Sequence, residues 1–589
     1  MNSCPNCGAP YDTGDSKCLY CGTALPAEPP KKERSKPTPS PANTQSAPAR
    51  PYANPTPTHA PSPQPVKSGS EKDAGFDADY TFSTSNWKNN YTQKAKSTSA
   101  LGLIITNTQG SSDPKPFLDA VGDYIKFKES HGVSYCLLDL ATQQIANYNT
   151  CDIEDIISLL EEVYSLSVPE YLLIVGDSTV IPTMVWDNEC GDDDETVPSD
   201  LAYITLDTES PWSGMCFDFN NVTRVGRIPS SYKTNFKEAI QYFNNTSRVT
   251  PYRSVNAFAY SALVWKMTSE NEFAPLNPTL LTSPEYTSNP SLVGGNELMI
   301  LLDPVDPAYN LLCFNLHGSD ATHEWYGQRG GSYPEAFDIS YLPKGSKSGY
   351  VVCTEACYGA RPTVRGSGNE SIVVHALMNN CLAFVGSSRI AYGLSDGNMS
   401  CADVIANAFT TAVANGLDAG SAFLSALTAL CRYSELDEEE IKTLAEFSLY
   451  GDPSVVLIDS YQGKAKKSVS NRRCVSKPVK DEKKAVTLLS CDEGDGRVLT
   501  SKCSHISKSA YTTTQQAEIQ RTAHSIRQAG QQIMQTSFST MSDVEPKMYK
   551  VLGKDGYRAV YSKLENNIKT VVKLHMNDNG QVKKIYTSK

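Results

Sequence analysis

The sequence predicts an α/β protein with two subdomains of mainly parallel sheet, a small cysteine-rich unit before them and a small α+β domain after them. Two observations support this prediction. Between residues 99 and 460, short apolar runs bounded by turns alternate with segments of helical periodicity, which is typical of parallel α/β units. Two of these runs, residues 311–316 and 350–353, stop at reactive side chains among small residues. In open parallel sheets the chemistry lies in the crevice beyond the C-terminal ends of the strands.

The N-terminal unit, residues 1–26, contains two Cys-x2-Cys pairs, Cys4 with Cys7 and Cys18 with Cys21. Four thiolates at this spacing can surround one Zn²⁺ tetrahedrally, and the glycine after each pair lets backbone amides turn toward the sulfurs. A redox pair is the alternative, but the repeated motif argues against it. We therefore predict a structural or partner-binding zinc ribbon, which resembles the short ribbons that open many bacterial proteins.

Residues 27–98 are dominated by Pro, Ser, Thr, Ala and Lys as far as about residue 75, so we expect a disordered linker without a core. The first α/β subdomain, residues 99–250, is predicted from the run ALGLIIT, from helical spacing at 116–130 and 153–166, and from PEYLLIVGD. The acidic loop at 189–195 offers oxygen ligands for Ca²⁺. It lacks a spaced ligand pattern, however, and we expect a solvated loop.

The second subdomain, residues 251–460, contains the two runs that end at reactive side chains. A helix at 372–378, a strand at 382–385 and further helices to about residue 447 follow. The stretch LYGDPSVVLI then gives a last strand after a Gly-Asp-Pro turn. This alternation predicts a second parallel unit in which the reactive side chains lie.

The chain ends in a basic, polar linker at 461–508 and a predicted α+β domain at 509–589. The domain combines an amphipathic helix at 513–535 with alternating strands, and Asn579 and Gly580 mark a hairpin turn. It carries no obvious catalytic cluster, so we interpret it as a binding or regulatory module.

The formal net charge of −12 hides an asymmetry. Residues 461–589 hold 24 Lys and Arg against 11 Asp and Glu, a balance of +13, which leaves −25 for residues 1–460. An acidic body argues against nucleic-acid binding and favours basic partners, the basic tail included; a solvated acidic surface is the alternative. Several of the 17 cysteines lie in apolar runs, no run is long enough for a membrane span, and no secretory signal is visible. We expect a cytoplasmic protein.

His317 follows the run 311–316, and Cys357 follows the run 350–353. Two neighbouring parallel strands would deliver both side chains to one crevice. A thiol is a weak nucleophile until an adjacent base makes it a thiolate, and an imidazole across the crevice would do so. This predicts a cysteine peptidase, although most free cysteines are core residues. Cys353 is the rival nucleophile, but inside the apolar run its thiol would face packed neighbours and stay protonated.

A series of short motifs carries a family resemblance: VPEYLLIVGDSTVIP, PSDLAYITLD, VGRIP, LHGSD, TEACYGA, AFVGSSRIAYG and LYGDPSVVL. In this order they resemble the gingipain family of cysteine peptidases, which shares a clan with caspases, legumains and metacaspases. The match covers roughly residues 99–460. It implies two caspase-like (Rossmann-like) subdomains, with His317 as catalytic histidine and Cys357 as nucleophile. In this clan backbone amides hold the oxyanion, here those of Gly318 and Cys357.

The chain departs from the gingipain pattern in two ways. Gingipains are secreted, whereas this sequence shows no signal peptide and opens with the predicted zinc ribbon. The strand FAYSALVWKMT ends without an acidic residue to orient the histidine. We therefore expect a Cys-His dyad in which a backbone carbonyl or a water holds the imidazole.

Glu355 is the candidate for substrate specificity, since metacaspases and legumains also place a carboxylate of the S1 pocket two residues before the nucleophile. A buried carboxylate needs a cationic or hydrogen-bonding partner, which Arg or Lys at P1, the residue before the scissile bond, would supply. Ser387, Ser388 and Tyr392 match the strand that borders the S1 pocket in relatives. A structural salt bridge of Glu355 is the alternative.

These observations together predict a cysteine endopeptidase that cleaves proteins after Arg or Lys. We also expect self-cleavage in the linker at residues 461–486, before which the basic tail would lie against the acidic body and occlude the cleft. Two alternatives remain. One is a non-catalytic adaptor that binds partners through the ribbon and the C-terminal domain, and the other is a thiol acyltransferase with the same dyad.

Overall fold

A computed structural model describes residues 2–3, 10–11, 87–141, 152–213, 217–219, 222–287, 296–297, 309–342, 349–362, 371–432, 436–459, 487–490, 513–552, 555–565 and 567–589. Contacts divide the chain into two compact units, residues 1–74 and 75–589. In the first unit Asn2–Ser3 pairs antiparallel with Pro10–Tyr11. The four predicted zinc ligands lie outside the described residues.

Ten strands of the second unit form one sheet. In chain order they are β1 (Leu101–Thr106), β2 (Ser134–Asp139), β3 (Tyr171–Val175), β4 (Arg224–Ile228), β5 (Ala257–Ala262), β6 (Thr279–Ser283), β7 (Leu311–Asn315), β8 (Tyr350–Thr354), β9 (Cys381–Ser387) and β10 (Phe447–Gly451). Across the sheet the order is β6-β5-β7-β8-β9-β10-β4-β3-β1-β2. Neighbours are parallel except β9 and β10, which are antiparallel. The predicted α/β class is confirmed.

The two predicted subdomains share this single sheet. Strand β10 pairs with β9 of the second half and, through Tyr450 opposite Arg227, with β4 of the first half. The strands approach closely because Gly226 has no side chain, and a Cβ there would lie 2.4 Å from the carbonyl oxygen of Gly451. One continuous cluster of buried apolar side chains therefore runs through both halves.

The helices of the described residues are α1 (Trp87–Ser97), α2 (Lys115–Ser130), α3 (Ile153–Leu166), α4 (Leu201–Thr205), α5 (Lys237–Thr246), α6 (Lys266–Glu272), α7 (Ile372–Met378), α8 (Ala402–Ala414), α9 (Ala419–Leu430), α10 (Glu438–Glu446) and α11 (Thr513–Ser537). Helix α1 lies inside the stretch for which a disordered linker is predicted, residues 27–98. It is held to the body because the buried Tyr91 donates its hydroxyl to the carbonyl of Ser167 at 2.8 Å. No helix of the described residues is long and apolar enough to cross a membrane.

The C-terminal part is an antiparallel sheet with one helix, as predicted. Its strands are β11 (Thr487–Ser490), β12 (Lys547–Leu552), β13 (Tyr557–Glu565), β14 (Ile568–Met576) and β15 (Val582–Ser588). Helix α11 contributes Ala523, Ile526 and Met534 to the apolar cluster of this sheet. Strand β11 falls within the predicted linker 461–508, where it pairs with β12.

The predicted hairpin joins β14 to β15 through Asn579 and Gly580, and Gly580 has φ 78°, a conformation that glycine adopts readily. Beyond this hairpin, β15 pairs antiparallel with Tyr392–Gly393 of the body. The sheet of the C-terminal domain is thus continued by two residues that follow β9. This pairing brings the end of the chain to the C-terminal edge of the large sheet.

Candidate active site

His317 and Cys357 follow neighbouring strands at the same edge of the large sheet. Strands β7 and β8 are parallel neighbours in register, with Cys313 opposite Cys353, so the turns that follow them meet at the same edge of the sheet. The two turns touch backbone to backbone, since a Cβ on Gly318 would lie 1.9 Å from the carbonyl oxygen of Cys357. Only glycine fits next to the histidine for this reason.

The imidazole of His317 is fixed on several sides. Its Nε2 lies 2.8 Å from Oε1 of Gln328, and because that oxygen accepts, Nε2 carries the proton and Nδ1 keeps its lone pair. The ring packs against Trp265, with centroids 4.4 Å apart, and against Tyr333 at 5.1 Å. Nδ1 is buried and has no hydrogen-bond partner among the described residues. Nδ1 is therefore the ring nitrogen whose lone pair is not engaged by these residues.

Gln328 is a site residue that the sequence did not reveal. It occupies the place for which we expected a backbone carbonyl or a water. Its Nε2 donates to the carbonyl of Gly330 at 3.1 Å and to the hydroxyl of Tyr333 at 3.2 Å, which fixes its amide. A neutral amide holds the ring without adding negative charge. No spacing or periodicity in the loop after His317 distinguishes this glutamine.

Burial favours the uncharged forms of His317 and Cys357. Burial lowers the pKa of His317 to about 4, the bond to Gln328 opposes this shift, and the nearby cation of Lys589 adds to it. Burial raises the pKa of the Cys357 thiol, whose Sγ donates to the carbonyl of Ala391 at 3.6 Å. Cys353 lies within β8 with its side chain fully buried, and burial raises the pKa of its thiol as well.

The end of the chain lies across these two residues. The carbonyl oxygen of Lys589 accepts the backbone N–H of Cys357 at 3.2 Å and that of Gly318 at 3.5 Å. The backbone N–H of Lys589 donates to the carbonyl of Ala391 at 3.0 Å, and the preceding residues form strand β15 beside Tyr392. The two amides predicted to bind an oxyanion therefore both contact a carbonyl of an extended segment.

The side chain of Lys589 fills a closed acidic pocket. It is 0% exposed, and its Nζ lies 2.8 Å from Oδ1 of Asp403 and 3.5 Å from Oε2 of Glu355. Nζ also lies 4.5 Å from the centre of the Trp265 ring. Glu272 adds a third buried carboxylate, one oxygen of which lies within 4.8 Å of an oxygen of each of the other two. Burial, helped by the neighbouring carboxylates, raises the pKa of Glu272, so the pocket favours a cation that neutralises it.

Asp403 is the carboxylate nearest to the cation, and the sequence did not reveal it. It lies in the first turn of α8, and its Oδ2 accepts the N–H groups of Leu394 at 2.8 Å and Ser400 at 3.2 Å. These bonds leave Oδ1 for the pocket. Gly393 makes room for the side chain of Lys589, since a Cβ on this glycine would lie 2.2 Å from Cε of the lysine.

The other predicted substrate-binding side chains have partners elsewhere. The hydroxyl of Ser387 donates to the carbonyl of Arg389 at 2.9 Å, and that of Ser388 to a backbone carbonyl of the first half. The hydroxyl of Tyr392 donates to Asp192 at 2.7 Å. The backbone of Tyr392, however, pairs with Ser588, next to the residue that fills the acidic pocket.

Two carboxylates of the acidic loop 189–195 are buried in ion pairs, which corrects the expectation of a solvated loop. Nζ of Lys442, itself fully buried, lies 2.7 Å from Asp192 and 2.8 Å from Asp194. Asp194 also accepts from the hydroxyl of Tyr358, next to the candidate nucleophile. The loop is thus paired with a lysine of α10, about 250 residues away, and with lysines of the C-terminal strands, which no local pattern could show.

Two groups of side chains in the described part of the chain are close enough to hold a metal ion, and neither includes this loop. One is the acidic pocket that Lys589 fills. The other joins Asp437, Glu439 and His575, where Lys573 lies 3.2 Å from Glu439. Calcium binding therefore gains no support from the loop where the sequence suggested it.

Comparison with known proteins agrees with this geometry. The model of peptidase family C25 matches residues 96–458, which is more than half of the chain. No curated protein matches the sequence. Among solved structures, one described as a protease has 12% identity and a TM-score of 0.39, covering 83% of this chain and 91% of its own. The separase–securin complex of Saccharomyces cerevisiae has 14% identity and a TM-score of 0.26, covering 48% of this chain and 15% of its own. From the family match, the chain belongs to peptidase family C25, a family of cysteine endopeptidases that act on proteins.

Proposed function

We propose that this peptidase cleaves proteins after lysine or arginine, with Cys357 and His317 as its catalytic dyad. The observation that carries the proposal is the position of Lys589. Its cation lies between Asp403 and Glu355, and its carbonyl meets the two amides beside the dyad. A peptide bound in the same way would present the backbone carbonyl of a basic residue to the thiol of Cys357.

In the proposed first step, Nδ1 of His317 takes the thiol proton and Sγ of Cys357 bonds to the carbonyl carbon. The carbonyl electrons move to the oxygen, which the amides of Gly318 and Cys357 stabilise. The imidazolium then gives its proton to the amine, the C–N bond breaks, and a thioester remains. Water, deprotonated by His317, attacks the thioester carbon and the C–S bond breaks. The products are a carboxylate and the regenerated thiol.

The amides are fixed before the reaction begins. The contact between Gly318 and the backbone of Cys357 holds both N–H groups toward one point. Donors placed in this way need no reorganisation as charge develops on the oxygen, and the loss of one such donor costs about 10²–10³-fold in turnover. The backbone therefore supplies the stabilisation, and no further side chain is needed for it.

The proposed preference for a basic P1 residue follows from the charge of the pocket. Asp403, Glu355 and Glu272 are fully buried, and buried carboxylates without a counter-ion are strongly unfavourable. A lysine or arginine side chain compensates them, whereas an acidic residue would add to the repulsion. An apolar residue would leave them unpaired. Glu355 is thus one of three specificity residues rather than the single one that the sequence indicated.

The test uses a full-length chain with the substitution Lys589→Glu, which removes the cation from the pocket. We expect hydrolysis of a short peptide with a fluorogenic amide after lysine. Adding Cys357→Ala should abolish hydrolysis, whereas adding Cys353→Ala should leave most of it. Hydrolysis that survives Cys357→Ala, or that is lost with Cys353→Ala alone, would contradict the assigned nucleophile.

The proposal includes self-cleavage in the linker 461–486, which lies outside the described residues. This segment offers basic residues that the pocket would accept: Lys464, Lys466, Lys467, Arg472, Arg473, Lys483 and Lys484. It leaves the body just after β10, so it is tethered close to the catalytic strands. A tether of this length gives a high effective concentration and favours cleavage within one molecule.

A further inference from the structure

We propose that the groove holding residues 582–589 is an extended substrate site that recognises lysine at P1, tyrosine at P4 and lysine at P6. The same segment of the chain is then a built-in competitor for that groove. This inference rests on the proposed function, since it assigns further subsites to the same active site. The positions are counted back from Lys589, so Tyr586 stands at P4 and Lys584 at P6.

The main chain of the segment is bound as a peptide strand. Thr587 and Ser588 pair antiparallel with Gly393 and Tyr392, and the N–H of Lys589 continues the ladder to the next carbonyl of the body. Alternate side chains of a strand face opposite sides. Lys584, Tyr586 and Ser588 therefore share one side, and Lys589 projects to the other side, into the acidic pocket.

Tyr586 is buried between the body and the tail's own sheet. Its ring belongs to an apolar cluster to which the body contributes Cys401 and Tyr392, and to which β12, β13 and β14 of the tail contribute as well. Its hydroxyl donates to Oδ2 of Asp437 at 2.7 Å. The position combines an apolar wall with one acceptor at its end, which suits a phenol better than an aliphatic side chain or a phenyl ring.

Lys584 reaches the same carboxylate from outside. Its Nζ lies 2.7 Å from Oδ2 of Asp437 and 3.4 Å from Oε1 of Glu440. The lysine is partly exposed, so this pair alone contributes little. Asp437 is nevertheless fixed, because it caps helix α10 by accepting the N–H of Glu440 in a capping box. A rigid acceptor that binds both P4 and P6 can select for the two residues together.

The tail is anchored to the body outside the groove as well. Basic tail residues pair with acidic body residues: Lys573 with Glu439 (3.2 Å) and Asp192 (3.5 Å), His575 with Glu439 (2.9 Å), and Arg558 with Glu438 (3.2 Å). This explains the opposite charges of body and tail. These pairs keep the segment beside the groove, so it competes as an intramolecular ligand.

The first experiment asks whether the segment blocks the site in solution. The rate at which iodoacetamide alkylates Cys357, followed by peptide mapping, is measured for the full-length chain and for two variants. Lys589→Glu should alkylate at least tenfold faster than wild type, because it places a carboxylate among three others. The control Lys583→Glu changes an exposed residue of the same strand and should match wild type. Equal rates in all three proteins would overturn the competitor role.

The second experiment asks what the groove recognises, again with the full-length Lys589→Glu chain. The peptide KKIYTSK is compared with KKIATSK, KEIYTSK and the P7 control EKIYTSK, each by the concentration that halves the alkylation rate of Cys357. This readout needs no catalysis. The P4 and P6 changes should raise that concentration at least fivefold, and the P7 change should not. Equal protection by all four peptides would overturn the extended subsites.

Asp437→Ser supplies the matched change on the protein, since serine still caps the helix but removes the carboxylate. In this variant the peptides KKIYTSK and KEIYTSK should protect equally. A P6 preference that persists in the variant would contradict the role of Asp437. If the peptides protect as expected but no amide bond after lysine is hydrolysed, the groove stands and the proposed peptidase reaction fails.

Discussion

The backbone N–H of Cys357 donates to the carbonyl oxygen of Lys589 at 3.2 Å, so the candidate nucleophile is hydrogen-bonded to a distant segment of the same chain. The same residue places its cation 2.8 Å from Asp403. Carbonyl and cation together mark where a substrate would place the scissile carbonyl and its P1 side chain. In the structure both His317 and Cys357 are buried beside Lys589.

Gln328 should act as a positioning residue for His317. We expect Gln328→Ala, in the Lys589→Glu chain, to lower kcat about tenfold or more with little change in KM, because the ring loses its partner while the pocket is untouched. Gln328→Glu places a carboxylate against Nε2 and raises the pKa of the imidazole. Since protonated His317 cannot accept the thiol proton, the acidic limb of the kcat/KM profile should move to higher pH. An unmoved limb would contradict the contact.

Asp452 should stabilise the body. It is fully buried, accepts from the hydroxyl of Tyr135 at 2.6 Å and lies 3.3 Å from Nζ of Lys128. Asp452→Asn leaves this lysine buried without its counter-ion, so we expect a loss of about 3 kcal/mol in the free energy of unfolding. Urea unfolding measures it, with the exposed Asp459→Asn as control. A loss no larger than that of the control would contradict the role.

The pH dependence of this stabilisation has a definite sign. Burial opposes ionisation of Asp452, but Lys128 and the tyrosine hydroxyls outweigh it and lower the pKa of the carboxyl. A carboxylate with a lowered folded-state pKa stabilises the fold above its unfolded value of about 3.9, and the stabilisation is lost as the pH falls through the folded value. The difference between wild type and Asp452→Asn should therefore shrink below about pH 4.

The sequence predicted that His317 and Cys357 lie at the same edge of the sheet because both lie just beyond strand ends, and parallel strands in one sheet align their ends. It also predicted the hairpin at Asn579, since Asn followed by Gly is a strong local signal for a turn. Asp403 was not predicted because the orientation of its carboxylate depends on hydrogen bonds from backbone amides that lie up to nine residues away in a loop. The single sheet was not predicted either, because local sequence patterns do not show that β10 lies between the two halves.

The linker between 461 and 486 should be cut by the chain itself. Mass spectrometry of the purified wild-type chain should find fragments that end in lysine or arginine of this segment, and the Cys357→Ala chain should remain intact. Identical fragments from both proteins would point to a contaminating protease. An intact wild-type chain under conditions where it hydrolyses lysine peptides would rule self-cleavage out.

The ribbon should bind one Zn²⁺ per chain through Cys4, Cys7, Cys18 and Cys21. Metal analysis of the purified protein should show this stoichiometry, and Cys7→Ser should reduce it to background. Since residues 27–98 are predicted to be a linker, hydrolysis of small peptides should be the same with and without zinc. Loss of that hydrolysis on chelation would contradict the independence of the two units.

Affinity labelling tests the central claim most directly. A peptide acyloxymethyl ketone with lysine at P1 is compared with its uncharged norleucine counterpart on the full-length Lys589→Glu chain, and the labelled residue is mapped by mass spectrometry. We predict that the lysine reagent labels Cys357 at least a hundredfold faster than the norleucine reagent, and that Asp403→Asn removes most of this difference. Labelling of Cys353, or equal rates with the two reagents, would contradict the account.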